Sequence, residues 1–487
     1  MKKFRNKILS SVFIVALLTS GCEFGDTNID PSSVSAAPIN QQLTSLTVNV
    51  GFLAGSDLNR YSSLLMQQYS GQSAGATTQT QFYEQFLIVG SDVDNLWSNI
   101  YSVVLNDAEN VIKGANANNS PHYSGVAKIL KAYTYHLAVD AWGSIPFTDS
   151  QKLSSNVKPK FDSDEAIYTS LISLLNEGIA EVNAPTSTIS PGTNSSIFPG
   201  TFTTTRANWV KLANTLKMRL FLHYSEKNPT FAKSGIDQLI NSGAPLMVSN
   251  ADSFQMDFVD AANARNPIDQ FETLRAGNLV VNAKIVNMMN AKNDPRRQFF
   301  FTQFPAGSGQ YLGAVSGAPA NPGGYSKFHT YLRGALTGTT YTGSAPIRML
   351  TFAEYNFIRA EAALRFSSPG SAQTFFQAGI RASMESAGVA SSDITAYLVA
   401  NGTLAGSPAQ QLEQIINEKY VANYGVVSEP WSDWRRTGFP VLALPSNALT
   451  TFIPRSLLYP QLEIDLNPEN ATQKANMSAR VFWDTRQ

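Results

Sequence analysis

The chain has 487 residues, 43% of them hydrophobic, with 36 basic against 36 acidic side chains and a single cysteine. That length exceeds what one hydrophobic core normally fills, so stacked helical units or two domains are required, and a lone cysteine excludes a disulfide framework. Removing a leader that holds Lys2, Lys3, Arg5 and Lys7 takes the basic count from 36 to 32 against 36 acidic, a net charge of −4, which argues against nucleic acid or another polyanion as partner.

Those four cations precede a mostly apolar run from Ile8 to Leu18 that is too short to span a bilayer, which is the pattern of a secretory signal. Leu18-Thr19-Ser20-Gly21-Cys22 follows and resembles a lipobox. Residues 1–21 therefore read as a signal peptide and Cys22 as the acylated first residue of the mature chain. Residues 22–41 are polar, contain Pro31 and Pro38 and lack periodicity, which reads as a lipidated tether and an extended arm. Oxygen-bearing side chains alternate at Asp26, Asn28 and Asp30, but the glycine and distal glutamate of an EF-hand loop are absent.

Helical pairs come next. Leu96, Trp97, Ile100, Tyr101, Val104, Ala108, Val111 and Ile112 form one stripe, expected to end at Lys113-Gly114, and a second helix is expected from Ser124 to Asp140. A third is predicted to open at Phe161 with Asp162 as its cap and Glu165 reaching back, and a fourth to run from Ala207 to Tyr224. Between them residues 184–206 are rich in Ser, Thr, Pro and Gly, long enough for a functional loop or a small hairpin. Later helices are predicted over Phe352 to Phe366 and Ala372 to Ala387. The last starts at Leu412, where Ile415, Ile416, Tyr420, Val421 and Tyr424 continue the stripe. It leads into Trp431, Asp433, Trp434, Arg435 and Arg436, where a guanidinium can stack on an indole while it forks onto a carboxylate. The bland reading of that turn is a buried anchor. The pairs, about 95–140, 161–226, 351–387 and 408–440, have the size of tetratricopeptide units without their consensus. The segment 303–348 holds nine glycines and the rings of Phe304, Tyr311, Tyr325, Phe328, Tyr331 and Tyr341. A loop of that composition binds more often than it packs.

No catalytic constellation is legible. His122, His136, His223 and His329 show no metal-binding spacing, and neither a nucleophile elbow nor a phosphate-binding loop occurs. Asp140 precedes Trp142-Gly143 at a helix end, and Glu354 and Glu361 lie two turns apart, roughly 10 Å, too far for a retaining glycosidase pair. The chain reads as no enzyme, with no cofactor and no metal.

Several stretches in order, among them "AYTYHLAVDAWGSIPF", "RANWVKLANTLKMRLFLHYS", "NDPRRQFFF", "LTFAEYNFIRAEAALRF", "WSDWRRTGFPVL" and "IPRSLLYPQLEIDLNPEN", resemble the signatures of the SusD/RagB family, its second subgroup especially. The resemblance runs from the lipobox to the C-terminus. It implies a mostly α fold, a scaffold of tetratricopeptide-like helix pairs with a loop-rich insert of little β at about 245–348, all within one domain at 42–487. It further implies a non-catalytic lipoprotein on the outer membrane, lipid-anchored and surface-exposed, that captures oligosaccharides, or alternatively oligopeptides, for a SusC-like TonB-dependent transporter. A helical-repeat scaffold or adhesin is the alternative of another class. In this family ligands meet loops rather than repeat helices, so the candidate binding residues are Tyr83, Tyr311 and Tyr325, then Phe82, Phe328 and Gln72.

Overall fold

The computed structural model describes residues 37–152, 155–261 and 263–486, and from Ile39 onward the chain forms one unit. The expected signal peptide, Cys22 and the arm as far as residue 36 lie outside the described residues. The arm ends sooner than residue 41, because the helix Ile39–Gly55 begins directly after Pro38. Leu43, Leu46, Val50, Leu53 and Ala54 recur at helical spacing along it and are buried. Among the described helices none is long and apolar enough to cross a membrane.

Helix pairs build the scaffold. Asn106–Ala117 and Pro121–Trp142 form a hairpin, Asp164–Val182 packs along the second, and Phe202–His223 along the third. Pro121 sits in the first helical turn, where its missing N–H has no partner to lose. The helices Pro121–Trp142 and Asp164–Val182 approach closely at two glycines: a Cβ on Gly125 would lie 2.7 Å from the Gly178 carbonyl oxygen. The second bundle is Phe352–Phe366 against Ala372–Ala387, with Pro408–Ala422 laid across the first of them. Four short antiparallel strand pairs complete the described secondary structure. One of them, Tyr69–Gly71 on Leu279–Val281, holds the insert to the body, and another, Phe254–Met256 on Ile347–Leu350, brings the two ends of the insert together.

Several boundaries differ from expectation. Gly114 lies inside its helix, which continues to Ala117. Asp162 is no cap: Ser163 precedes the helix, and the Asp162 carboxylate accepts the Phe147 and Thr148 amides at 2.9 and 2.8 Å. Residues 184–201 contain neither helix nor strand and lie against the body, where Ser196 donates its amide to Thr47 Oγ1.

The stretch expected as a turn after the last pair is instead the helix Glu429–Thr437, and it forms the polar heart of the core. Arg435 lies over Trp431 at 4.0 Å and Trp483 at 4.7 Å from the ring centres, and donates to the Asp140 and Arg455 carbonyls. Arg436 forks onto Glu361 and also meets Asp433 at 2.8 Å. Lys419 joins Glu429 and Asp433, and Arg219 grips Glu354 through two contacts of 2.8 Å. All of these side chains are buried. Glu354 and Glu361 are thus each engaged by an arginine, which accounts for both carboxylates structurally.

Candidate ligand-binding site

A cavity of about 650 Å³, within the range of small-ligand sites, opens where four separated segments converge. The helix Asp57–Leu65 contributes Asp57, Arg60 and Tyr61. Gln81 Oε1 accepts the Thr78 amide at 3.1 Å at the start of the short helix Gln79–Glu84, which fixes the entry of Tyr83. Asp92 and Asn95 follow, and the opposite wall is Phe271, Arg275 and Asn278 at the end of the helix Pro267–Leu274.

Two tyrosines set the floor. Tyr61 and Tyr83 meet edge to face at 4.9 Å, Tyr61 donates to the Asp92 carbonyl at 2.8 Å, and Tyr83 donates to Asp92 Oδ1 at 3.2 Å. Burial, with the Asp92 charge beside it, pushes the Tyr83 phenol up to about 12, so it remains a donor at neutral pH. Arg60 pairs with Asp57 and lies over the Phe271 ring at 4.4 Å. Arg275 approaches the same ring at 6.0 Å, is exposed, and has no carboxylate partner among the described residues. The lining therefore carries two carboxylates, two guanidinium groups, amides and hydroxyls, with no net charge. Such a surface offers donors and acceptors together beside an aromatic ring, which is what a neutral ligand dense in hydroxyl groups requires.

The expected residues fall unevenly. Tyr83 lines the cavity. Phe82, the preceding residue, is 40% exposed and does not line the cavity. Gln72 is buried, and its side-chain oxygen accepts the Asn321 amide at 2.7 Å, so it holds the insert loop rather than a ligand edge. Phe328 is a correction: it is 1% exposed, packed on Tyr69 at 4.4 Å and Tyr424 at 6.4 Å, with no face open to a ligand. Tyr311 lies elsewhere, its ring beside Arg297 and Phe301. Tyr325 is partly exposed and does not line the cavity. Asp57, Arg60, Asp92, Phe271 and Arg275 were not anticipated. The apolar spacing of Leu58, Tyr61 and Leu65 was the available signal for the helix that carries the first two.

The fold also gathers what the sequence keeps apart. His136, Asp140 and His223 offer ligand-type atoms within 4.8 Å of one another, although no stretch of sequence has metal-binding spacing. Asp140 already accepts from Tyr168, Trp483 and Ser432, the last two at 3.2 Å. Burial would raise its pKa, but His136 and His223 beside it outweigh that and hold the carboxyl well below the usual range. The trio works as a polar lock in the core.

The SusD-like family model, described as starch-binding and associating with the outer membrane, matches residues 31–460. A solved chitin-binding protein shares 25% identity, with 92% of this chain and 100% of that one covered at a TM-score of 0.78. A SusD homologue from Bacteroides fragilis has 22% identity, 92% and 100% coverage and a TM-score of 0.75. A chitin-binding SusD homologue from Flavobacterium johnsoniae has 21% identity, 92% and 99% coverage and a TM-score of 0.75. No curated protein matches the chain significantly.

Proposed function

The chain belongs to the SusD-like family of outer-membrane-associated binding proteins, and from that membership we propose that it is a non-catalytic lipoprotein, anchored through Cys22, that captures neutral oligosaccharides. It passes them to a SusC-like TonB-dependent transporter in the same membrane. The observation that carries the ligand class is the uncharged balance of the cavity, with Asp57 and Asp92 facing Arg60 and Arg275 around Phe271. The chitin-binding character of two similar solved proteins supports placing N-acetylglucosamine oligomers first among the sugars to be tried.

Calorimetry against N-acetylglucosamine oligomers, maltooligosaccharides and a set of tripeptides tests the reading. One oligosaccharide series should bind, and Arg275→Ala should weaken it by about tenfold, the scale of one lost charge-assisted hydrogen bond. Binding of tripeptides alone, or sugar binding untouched by Arg275→Ala, would overturn the assignment.

A further inference from the structure

A second cavity, of about 540 Å³, lies between the helix Asp94–Ser98 with its continuation Asn99–Leu105, the loop that follows Pro146, and the C-terminal helix Gln461–Leu466. It is distinct from the first: Asp94 lines this cavity, whereas its neighbour Asn95 lines the other. The segment Asn99–Leu105 is π-helical, a widened turn that is uncommon and concentrates at functional sites. Around it Tyr101 is fixed from both ends, its hydroxyl donating to the Pro146 carbonyl and its own carbonyl accepting from Gln151, each at 2.8 Å.

The lining combines two features. Leu462 and Leu466, four apart on one helix face, and Val157 across the opening are 53%, 70% and 76% exposed, a concentration of large apolar side chains at a single mouth. Among the described residues the lining also holds three carboxylates, Asp94, Asp149 and Glu463, and no lysine or arginine. Lys152 pairs with Asp149 from outside at 2.5 Å and Lys160 lies beside the same carboxylate, so the lining's negative charge rests mainly on Asp94 and Glu463. Asn467 donates to Glu463 at 2.8 Å, an interaction that steadies the carboxylate without neutralising it.

We propose that this cleft is a second binding site, for an organic cation: an ammonium or guanidinium group carried on an apolar body. The body lies on Leu462, Leu466 and Val157 while the cation faces Glu463, Asp94 and Asp149. Burial lifts the Glu463 carboxyl above its ordinary range, so a cation beside it relieves an existing electrostatic cost. The chemistry has two sources, a basic side chain on a short peptide or an amino sugar.

The test is calorimetry on the full chain with paired probes. One pair is the blocked tripeptide Leu-Lys-Leu and its Nε-acetylated form, and the other is glucosamine disaccharide and its N-acetylated form. The cationic member of at least one pair should bind, with affinity about tenfold or more above its acetylated partner. The pair that responds names the source. Raising salt from about 50 to about 500 mM should weaken binding, since the site is open to solvent. The double variant Glu463→Gln, Asp149→Asn should lose the preference for charge, and Leu466→Gln, at an exposed position, should weaken the cationic probe that binds without unfolding the chain. Both pairs are measured on the Arg275→Ala protein as well as the parent, so that sugar held in the first cavity does not mask the comparison. If neither cationic probe outbinds its acetylated partner in the parent protein, or if the charge-neutralised variant retains the preference, the proposal is wrong.

Discussion

Arg435 and Arg436 are adjacent in sequence and divide between them two tasks that one guanidinium was expected to share. Arg435 stacks between Trp431 and Trp483, whereas Arg436 forks onto Glu361 and Asp433. Removing Arg436 would leave Glu361 buried without its strongest partner. Arg436→Ala should therefore destabilise the chain by about 3–5 kcal/mol, and the double change Arg436→Met, Glu361→Leu should recover much of that loss. Urea denaturation of the three proteins measures both.

Stability should respond to pH from two directions. Burial raises the Glu361 carboxyl, but the charge and hydrogen bonds of Arg436 overcome this and hold it at about 2. Its contribution is therefore complete above about pH 4.5 and is lost as pH falls toward 2. Glu272 is the opposite case, lifted by burial to about 8, and Glu84 to about 7. Their contributions are present below about pH 4.5 and are lost as pH rises through 7 to 8. Thermal melts from pH 3 to pH 9 should show Glu272→Gln flattening the alkaline decline and leaving the acid limb in place.

Arg275 and Tyr83 separate binding from stability. Arg275 is exposed and its guanidinium has no carboxylate partner among the described residues, so Arg275→Ala should leave the melting temperature unchanged while it weakens ligand binding. Tyr83→Phe deletes the bond to Asp92 and should cost about 1 kcal/mol of stability. Melting curves and calorimetry on the same preparations distinguish the two.

Gly125 and Gly178 predict a packing defect. An alanine at 125 places its Cβ against the Gly178 carbonyl and the Val182 amide nitrogen, each 2.7 Å away, and backbone cannot yield as a flexible side chain does. Gly125→Ala should destabilise by about 1–3 kcal/mol through separation of the two helices. A matched change at an exposed helix position, Ala117→Gly, serves as the control for propensity alone.

The proposed anchor is tested in cells. Cys22→Ala should move the protein from the membrane fraction to the soluble fraction, and retention in the membrane would exclude acylation at that residue.

Where apolar spacing was strong the sequence was legible to the residue. The helices Phe352–Phe366 and Ala372–Ala387 begin and end where their stripes do, and Ser371 caps the second. The helix Ile39–Gly55 escaped notice because Asn, Gln and Thr fill the positions between its leucines and valines, so its composition reads as loop. Phe328 was misjudged for a different reason. Its pocket is made by Tyr69 and Tyr424, one from each end of the chain, and no local pattern announces a partner that distant in sequence. The binding cavity shares this difficulty, since residues 57–95 and 271–278 meet only in the fold.

Those two halves of the cavity are joined at one atom. The Asn278 carbonyl oxygen accepts the Gln72 amide at 2.8 Å and the Thr80 hydroxyl at 2.7 Å, directly beyond the pairing of Tyr69–Gly71 with Leu279–Val281. The walls are therefore in place before a ligand arrives, and little conformational entropy is lost when it does. On the proposed function, capture at such a preformed site would be governed by encounter rather than by closure.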